Sequence, residues 1–429
     1  MFSKGPAEVS RRRVFYIPGY DPHPPRRYRE QYRRERGKQG AISGYRVDLK
    51  HDKSGTGWTA RGLMDGADVR SKIDVLVWHD LVQGSMRAGL IGTYAALVRT
   101  VWVYLSTGTF RRLSWLAKGP VLAALYPVIM LLGQLFAALA GAVTVAGVAG
   151  VLTIRGGELL NEQVFGTTPN TGSFVWSLVG AAVFWAVFMA VLLAALRWFK
   201  SKDDVTFAHY LMHDYAYTAS KRGDYPREIE ARLHDWRHRV EADLRDDIVE
   251  VLIVGHSSGA QLAVSLLADI LKRGRLPDDG PVLSLLTLGQ VIPMVSFLPE
   301  AQRLRSDLRQ LSISDEITWV DVSAPGDGCC FALSDPVSVS GVAPETGQQW
   351  PLILSAAFSN TLSPETLKTL KHRYFRLHFQ YLCAFDKPGD YDYFRITAGP
   401  QTLGQRFRGR RTSPSRIDVP ASRFTSTFR

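Results

Sequence analysis

The sequence predicts an α/β fold, a mostly parallel β-sheet covered by helices and interrupted by a hairpin of two transmembrane helices. Two observations carry this. Short apolar, β-branched runs alternate with helical stretches in the first 80 residues and again after residue 200, the pattern of a sheet whose strands are joined through helices. Between these regions lie Val121 to Ile154 and Phe174 to Leu196, neither containing a charged residue and each longer than the roughly 20 apolar residues that cross a bilayer.

Val14 to Pro18 reads as a buried strand, Gly19-Tyr20-Asp21-Pro22 as a turn and Arg26 to Lys38 as a charged helix. Tyr45 to Lys50 is a shorter strand and Ile73 to Trp78 a stronger one, so residues 1–84 make the first part of the sheet domain. Residues 85–202 form a membrane-associated insertion. Its first segment, Leu90 to Leu105, mixes Tyr94, Trp102 and Tyr104 with Arg99, which suits either a helix lying in a membrane interface or one covering the sheet. The first span exceeds the hydrocarbon thickness, so tilt, a bend at Pro127 or a Gly-rich end at Gly147 and Gly150 takes up the excess. Arg155 to Ser173 carries Glu158 and Glu162 against Arg155, whereas the outer flanks carry Arg111, Arg112, Lys118, Arg197, Lys200 and Lys202. The positive-inside rule then places both flanks in the cytoplasm and the short loop outside. Small residues at every fourth position, Ala142, Ala146 and Gly150 in one span and Ala182, Ala186, Ala190 and Ala194 in the other, suggest a tightly packed hairpin.

Residues 203–400 return to the sheet. Val205 to Ser220 and Arg227 to Arg245 look helical, and strands at Ile248 to Val254, Val282 to Leu288 and Ile317 to Val322 alternate with helices at Gln261 to Arg273 and Glu300 to Leu311. The basic, Ser/Thr/Pro-rich segment from about Gln401 to Arg429 reads as a disordered tail.

At 429 residues the chain accommodates one large domain plus extra elements. The mean hydropathy of -0.05 looks soluble because very polar segments offset the two apolar stretches. The net charge of +12 is concentrated in Arg11 to Arg13, Arg26 to Lys38, Arg111 to Lys118 and the tail. Beside apolar spans, such clusters suit a lipid surface better than nucleic acid, so membrane lipids are the expected partners. Three cysteines, Cys329, Cys330 and Cys383, make no disulfide framework or metal spacing. The N-terminus has no apolar core before Val14, which argues against a cleaved secretion signal and for a sheet domain in the cytoplasm.

The most specific motif is Gly255-His256-Ser257-Ser258-Gly259, between the strand ending at Val254 and the helix beginning near Ala260. A sharp strand-to-helix turn forces its central serine into a strained conformation, exposes the hydroxyl and aims the helix N-terminus at a developing oxyanion. On the turn from Val251 to Ala263 and on Tyr16-Ile17-Pro18-Gly19-Tyr20, the sequence resembles the α/β-hydrolase superfamily, in particular its esterase and lipase branch, over roughly residues 10–80 and 203–400. The resemblance implies a serine hydrolase with Ser257 as nucleophile. It also implies backbone oxyanion donors at Tyr20 and Ser258, although Pro18-Gly19 stands where the family often has His-Gly.

The order serine, acid, histidine makes Asp327, just beyond the strand Ile317 to Val322, the expected acid. Asp321 lies within that strand, and Asp335, before Pro336, suits a turn. Only His372 and His378 follow. His372 sits among Lys and Arg, which disfavour a base, whereas apolar and aromatic neighbours shield His378, the preferred candidate. His209 and His213 are one turn apart without the Glu of a metalloprotease motif, Trp78-His79-Asp80 reads as packing at a strand end, and no phosphate-binding Gly-rich loop is present. No cofactor or metal is expected. The implied activity is cleavage of an ester-type bond in a lipid or acyl substrate, with acyl transfer, thioester cleavage or a catalytically inactive membrane scaffold as alternatives. Oligomeric state is not legible in the sequence.

Overall fold

The computed structural model describes residues 8–51, 55–165, 169–244, 247–274, 280–371 and 373–428. Its strands are β1 (Arg11–Ile17), β2 (Arg46–His51), β3 (Gly57–Met64), β4 (Ala67–Val75), β5 (Glu250–His256), β6 (Val282–Leu288), β7 (Ile317–Ser323) and β8 (Leu352–Ser355). They form one eight-stranded sheet in the order β2-β3-β4-β1-β5-β6-β7-β8. From β4 to β8 every neighbour is parallel, while β2, β3 and β4 pair antiparallel. Every residue of β5 and β7 is buried, as expected for parallel strands covered on both faces. Two strands escape the sequence pattern. β3 contains two glycines and an arginine in place of a β-branched run, and β8 has only four residues.

The helices that matter for the site and the membrane are α1 (Arg26–Ser43), α2 (His79–Met86), α3 (Leu90–Ser106), α4 (Thr109–Leu116), α5 (Lys118–Phe165), α6 (Pro169–Ser201), α7 (Asp203–Thr206), α8 (Ala208–Ala219), α9 (Arg227–Asp243), α10 (Gly259–Leu271), α11 (Pro293–Ser296) and α12 (Gln302–Ser312). The chain divides into two compact units. One comprises residues 1–87, 100–123 and 217–429 and holds the whole sheet; the other comprises residues 88–99 and 124–216.

Within the sheet unit, Arg12 and Arg13, expected to face an anionic surface, are built into the fold instead. Arg12 is fully buried and its Nε donates to Glu250 at 2.6 Å, while Arg13 pairs with Asp74 at 2.9 Å and Asp243 at 2.5 Å. Breaking a buried pair such as Arg12–Glu250 costs about 3–5 kcal/mol. The segment after Gln401, expected to be disordered, is ordered along the body. The Ser413 N–H donates to Ile353 O, Ile417 N–H to Leu333 O and Ala421 N–H to Val339 O. Its composition is polar, but Leu403, Phe407 and Ala421 are buried anchors, and the backbone satisfies itself on neighbouring loops.

Among the described residues, two helices are long and apolar enough to span a membrane, Lys118–Val164 in α5 and Phe174–Ser201 in α6. Pro127 lies inside α5. Ala142, Ala146 and Gly150 are buried, as the small-residue spacing suggests. Ala182, Ala186, Ala190 and Ala194 are exposed instead, so that stripe is not the packing face of α6. The close approach occurs at Gly180, where a Cβ would come within 2.5 Å of the Ile154 side chain and 3.1 Å of Gly150 O. Glycine allows backbones to meet more closely than alanine does, so glycines on both helices set the crossing and the alanines of α6 are left outside.

Gly180→Val is therefore expected to lower the thermal midpoint of the detergent-solubilised protein, at an overpacking cost of roughly 1–3 kcal/mol. Ala186→Val should leave it nearly unchanged. Equal effects of the two substitutions would contradict this crossing.

Candidate active site

In this sheet β1 is followed by strands on one side, up to β4, and the chain then returns to place β5 on its other side. The strand order reverses between β1 and β5. In open α/β sheets the crevice outside the carboxyl ends at such a reversal is where ligands bind. The loop Pro18-Gly19-Tyr20 leaves β1 there, and Ser257 leaves β5 beside it.

Ser257 has φ of 57°, a left-handed conformation that a residue with a Cβ enters at a cost. The turn holds it there through the Ser257 N–H, which donates to Leu288 O at 2.9 Å, and Ser257 O, which accepts from Ala260 N–H at 3.1 Å. The flanking glycines are sterically required. A Cβ at Gly255 would meet the Ala260 Cα at 2.7 Å, and one at Gly259 would meet Ile17 O at 2.3 Å. Because α10 begins this close to the end of β1, Ser257 is left half-buried between the two.

Asp327 and His378 are brought together. His378 Nδ1 lies 2.7 Å from Asp327 Oδ2, with both side chains buried. The same Oδ2 accepts from the Tyr381 hydroxyl at 3.0 Å, and Oδ1 accepts from the Cys329 N–H at 2.9 Å. Burial opposes the charge of Asp327, but the facing His378, its hydrogen bond and the Cys329 N–H outweigh that effect and hold the carboxyl below its ordinary value. Its stabilising contribution is thus present at neutral pH and fades only as pH falls below the ordinary carboxylate range. An ionised carboxylate only accepts, so Nδ1 carries a proton, and in the neutral ring Nε2 presents a lone pair. That Nε2 is buried and has no hydrogen-bond partner among the described residues. A buried orphan of this kind calls for an explanation, and a basic nitrogen awaiting a proton donor is one.

Serine and imidazole converge on the same corner. The Ser257 N–H is bonded to Leu288 O, and the following Gly289, with φ of 52°, packs under the imidazole, where a Cβ would lie 3.1 Å from His378 Cε1 and 2.6 Å from the Tyr381 ring. The alternative base, His372, lies outside the described residues.

Three contributors carried no assignment from the sequence. His256 Nε2 lies 3.1 Å from His378 O; facing a carbonyl, it donates and fixes the backbone of His378. Burial first, then repulsion from His378, depress its pKa to about 3, so it stays neutral. Tyr381 bridges Asp327 and the Ala324 N–H, and Gly289 makes room for the ring. Each lies in or next to a segment with a strong signal, but none has a spacing that announces its role.

The two suggested oxyanion donors meet in an unexpected way. The Tyr20 N–H donates to the Ser258 hydroxyl at 2.8 Å, so that donor is already committed. The loop itself is well anchored, since Trp78 Nε1 donates to Pro18 O at 3.0 Å and the Tyr20 ring packs near Trp78 and Tyr217. Ser258 precedes α10, where the first amides have no acceptor within the helix.

Of the other acids, Asp335 caps the short helix Pro336–Val339 through the Val337 and Ser338 N–H groups. Asp321 is fully buried in β7 and accepts from the Thr287 hydroxyl at 2.6 Å. Asp327, Cys329 and His378 each offer a ligand atom within 4.8 Å of the others. The set suits a metal poorly, because Asp327 and Nδ1 are spent on each other and burial, followed by the Asp327 charge, pushes the Cys329 thiol well above its ordinary pKa. No family model matches the sequence, and neither a curated protein nor a solved structure is significantly similar to it.

Burial, reinforced by Asp335 and opposed by the Thr287 hydrogen bond, raises the pKa of Asp321 to about 7. The folded state then keeps a proton that the unfolded chain releases near pH 4, so stability falls as pH rises from about 4 to about 7. Asp321→Asn is expected to raise the thermal midpoint at neutral pH and to match wild type near pH 4. Parallel pH profiles for the two proteins would refute the assignment.

Proposed function

We propose that this protein is a membrane-anchored serine hydrolase of the α/β-hydrolase type that cleaves an ester-type bond, with Ser257 as nucleophile, His378 as base and Asp327 as the acid that orients it. The observation that carries the reading is the imidazole whose Nδ1–H is fixed by an ionised, buried Asp327 while Nε2 is left without a partner among the described residues, with His256, the neighbour of Ser257, packed against the same ring. A serine hydroxyl is barely nucleophilic near neutral pH unless a positioned base accepts its proton. His378 takes that proton as Ser257 Oγ bonds to the carbonyl carbon, then delivers it to the leaving oxygen as the ester bond breaks. Water, deprotonated by His378, releases the acyl group and restores the serine. For the Tyr20 N–H to hold the oxyanion, the Ser258 hydroxyl must rotate off it, making Ser258 a placeholder for the substrate oxygen.

The basic flanks of α5 and α6 support the sheet unit on the cytoplasmic side. An anchored hydrolase there has ready access to lipid and acyl esters, the substrate class we propose. One observation favours a rival reading as an inactive scaffold that binds lipids or proteins: the occupied Tyr20 N–H.

A fluorophosphonate serine probe separates the two. Wild type should label at a single site, and Ser257→Ala should not label at all. His378→Gln and Asp327→Asn should label more slowly by on the order of a thousandfold or more. A folded wild type that labels no better than Ser257→Ala would establish the scaffold. Ser258→Ala is expected to label at least as fast as wild type, because the Tyr20 N–H no longer has an acceptor to surrender; a tenfold loss would contradict the placeholder role.

A further inference from the structure

The amphipathicity of α3 runs the wrong way for a helix exposed to water. Its outward stripe consists of Ile91, Ala95, Val98, Trp102 and Leu105, spaced by four, three, four and three residues along one face. Ile91 is 88% exposed, Val98 66%, Trp102 70% and Leu105 57%. The inward face carries hydroxyls at Thr93, Thr100, Tyr104 and Thr107 beside Leu97 and Val103. Three of them are engaged: Thr93 Oγ1 lies 3.2 Å from His213 Nε2, the Tyr104 hydroxyl donates to Met294 O at 2.9 Å and the Thr107 hydroxyl donates to Val103 O at 2.7 Å. A helix in water places its apolar stripe inward; α3 keeps its hydroxyls inside and shows an almost unbroken apolar face outside, broken only at its edge by Arg99 and Ser106.

The next helix continues the pattern. Leu113 and Leu116 of α4 are buried, while Arg111, Arg112 and Trp115, 64% exposed, point out. Exposed tryptophan beside arginine is the composition of a membrane interface, where the indole sits at headgroup depth and the guanidinium meets phosphate. One residue after α4, Lys118 opens α5, the first of the two helices long enough to cross a bilayer. At 17 residues α3 is about 25 Å long, short of the hydrocarbon thickness, and it is bent by 103° from α2.

We propose that α3 and the outer face of α4 are a third membrane-contacting element, lying in the interface of the bilayer that α5 and α6 cross, with Ile91, Val98, Trp102 and Leu105 in the acyl region and Arg99, Arg111 and Arg112 at the phosphates. The proposal rests on the reading of α5 and α6 as membrane spans. Its occupant is a bilayer surface with anionic headgroups: charge complementarity with the three arginines and direct continuity into α5 both favour lipid over a second protein.

The test uses the full-length protein reconstituted in vesicles of phosphatidylcholine and phosphatidylglycerol. A nitroxide is attached at Val98→Cys, Trp102→Cys or Leu105→Cys, with labelled wild type subtracted to remove the native cysteines. Phe136→Cys in α5 reports the span and exposed Ser359→Cys reports water. The α3 labels should collide with dissolved oxygen several-fold more, relative to a water-soluble nickel chelate, than the Ser359→Cys label does. Chelate access at the α3 sites equal to that at Ser359→Cys would overturn the proposal. Shielding from both quenchers, the signature of a second copy or another protein covering the face, would overturn it too. A Phe136→Cys label open to the chelate would instead defeat the spanning reading itself, so the two failures are distinguishable.

Discussion

The close approach between the end of β1 and the start of α10 sets the geometry of the candidate site. With Gly259 against Ile17 O and Gly255 against Ala260, the chain has room to pass from strand to helix only by turning sharply, and the residue at the turn is driven to positive φ. Ser257 occupies that position. The strain is tolerated because parallel pairing on both sides of β5, to β1 and β6, over-determines the backbone there. The same apposition brings the loop after β1 beside the serine and couples Tyr20 to Ser258. Strand order, glycine placement and the exposed hydroxyl are therefore one constraint seen at three levels.

Around that turn, polar groups are buried in a ranked order of satisfaction. Asp327 accepts from His378, Tyr381 and Cys329, and His256 braces the backbone of His378. Each of these bonds removes a desolvation penalty that an unpaired group would carry. His378 Nε2 alone among the atoms of this network is left without a partner. On the proposed reading, that open nitrogen is where the Ser257 proton is received. Farther from the site, Arg12 donates to Gly399 O and Gln401 O, and Glu250, itself held by the Ser284 hydroxyl, accepts from the Leu403 N–H, tying the C-terminal segment to the middle of the sheet despite its composition.

The apolar helices obey a different accounting. On the proposed spanning reading, hiding alanine or leucine in lipid brings no gain, and contact is governed by how closely backbones can approach. Gly150 and Gly180 achieve this and the alanine stripe of α6 does not. The proposed bilayer contact of α3 follows the same logic, with Trp102 outward and the inward Thr93 and Tyr104 partnered within the protein.

Much was legible in the sequence because it is encoded locally. Periodicity and length gave the parallel strands β1, β5, β6 and β7 and the two spans, and the glycines around Ser257 marked the turn. The strand β3 was hidden because glycines and an arginine interrupt its apolar pattern while distant segments bury it, Tyr32 against Trp58 and Ala398 against Gly62, and β8 because four residues make too weak a pattern. Arg12 and Arg13 looked like surface charge because a sequence does not reveal that Glu250, Asp74 and Asp243 will converge on them. The sequence by itself determined that a serine would sit at a strained strand-to-helix turn in a chain carrying two apolar spans, since turn sterics and hydrophobic length act within a few residues. Only the tertiary structure decided that Asp327 grips His378 while His256, Tyr381 and Gly289 shape its pocket, that Ser258 occupies the Tyr20 N–H, and that α3 turns its apolar face outward. Those outcomes depend on contacts between segments tens to hundreds of residues apart, where hydrogen-bond geometry and steric fit, not local composition, choose the partner.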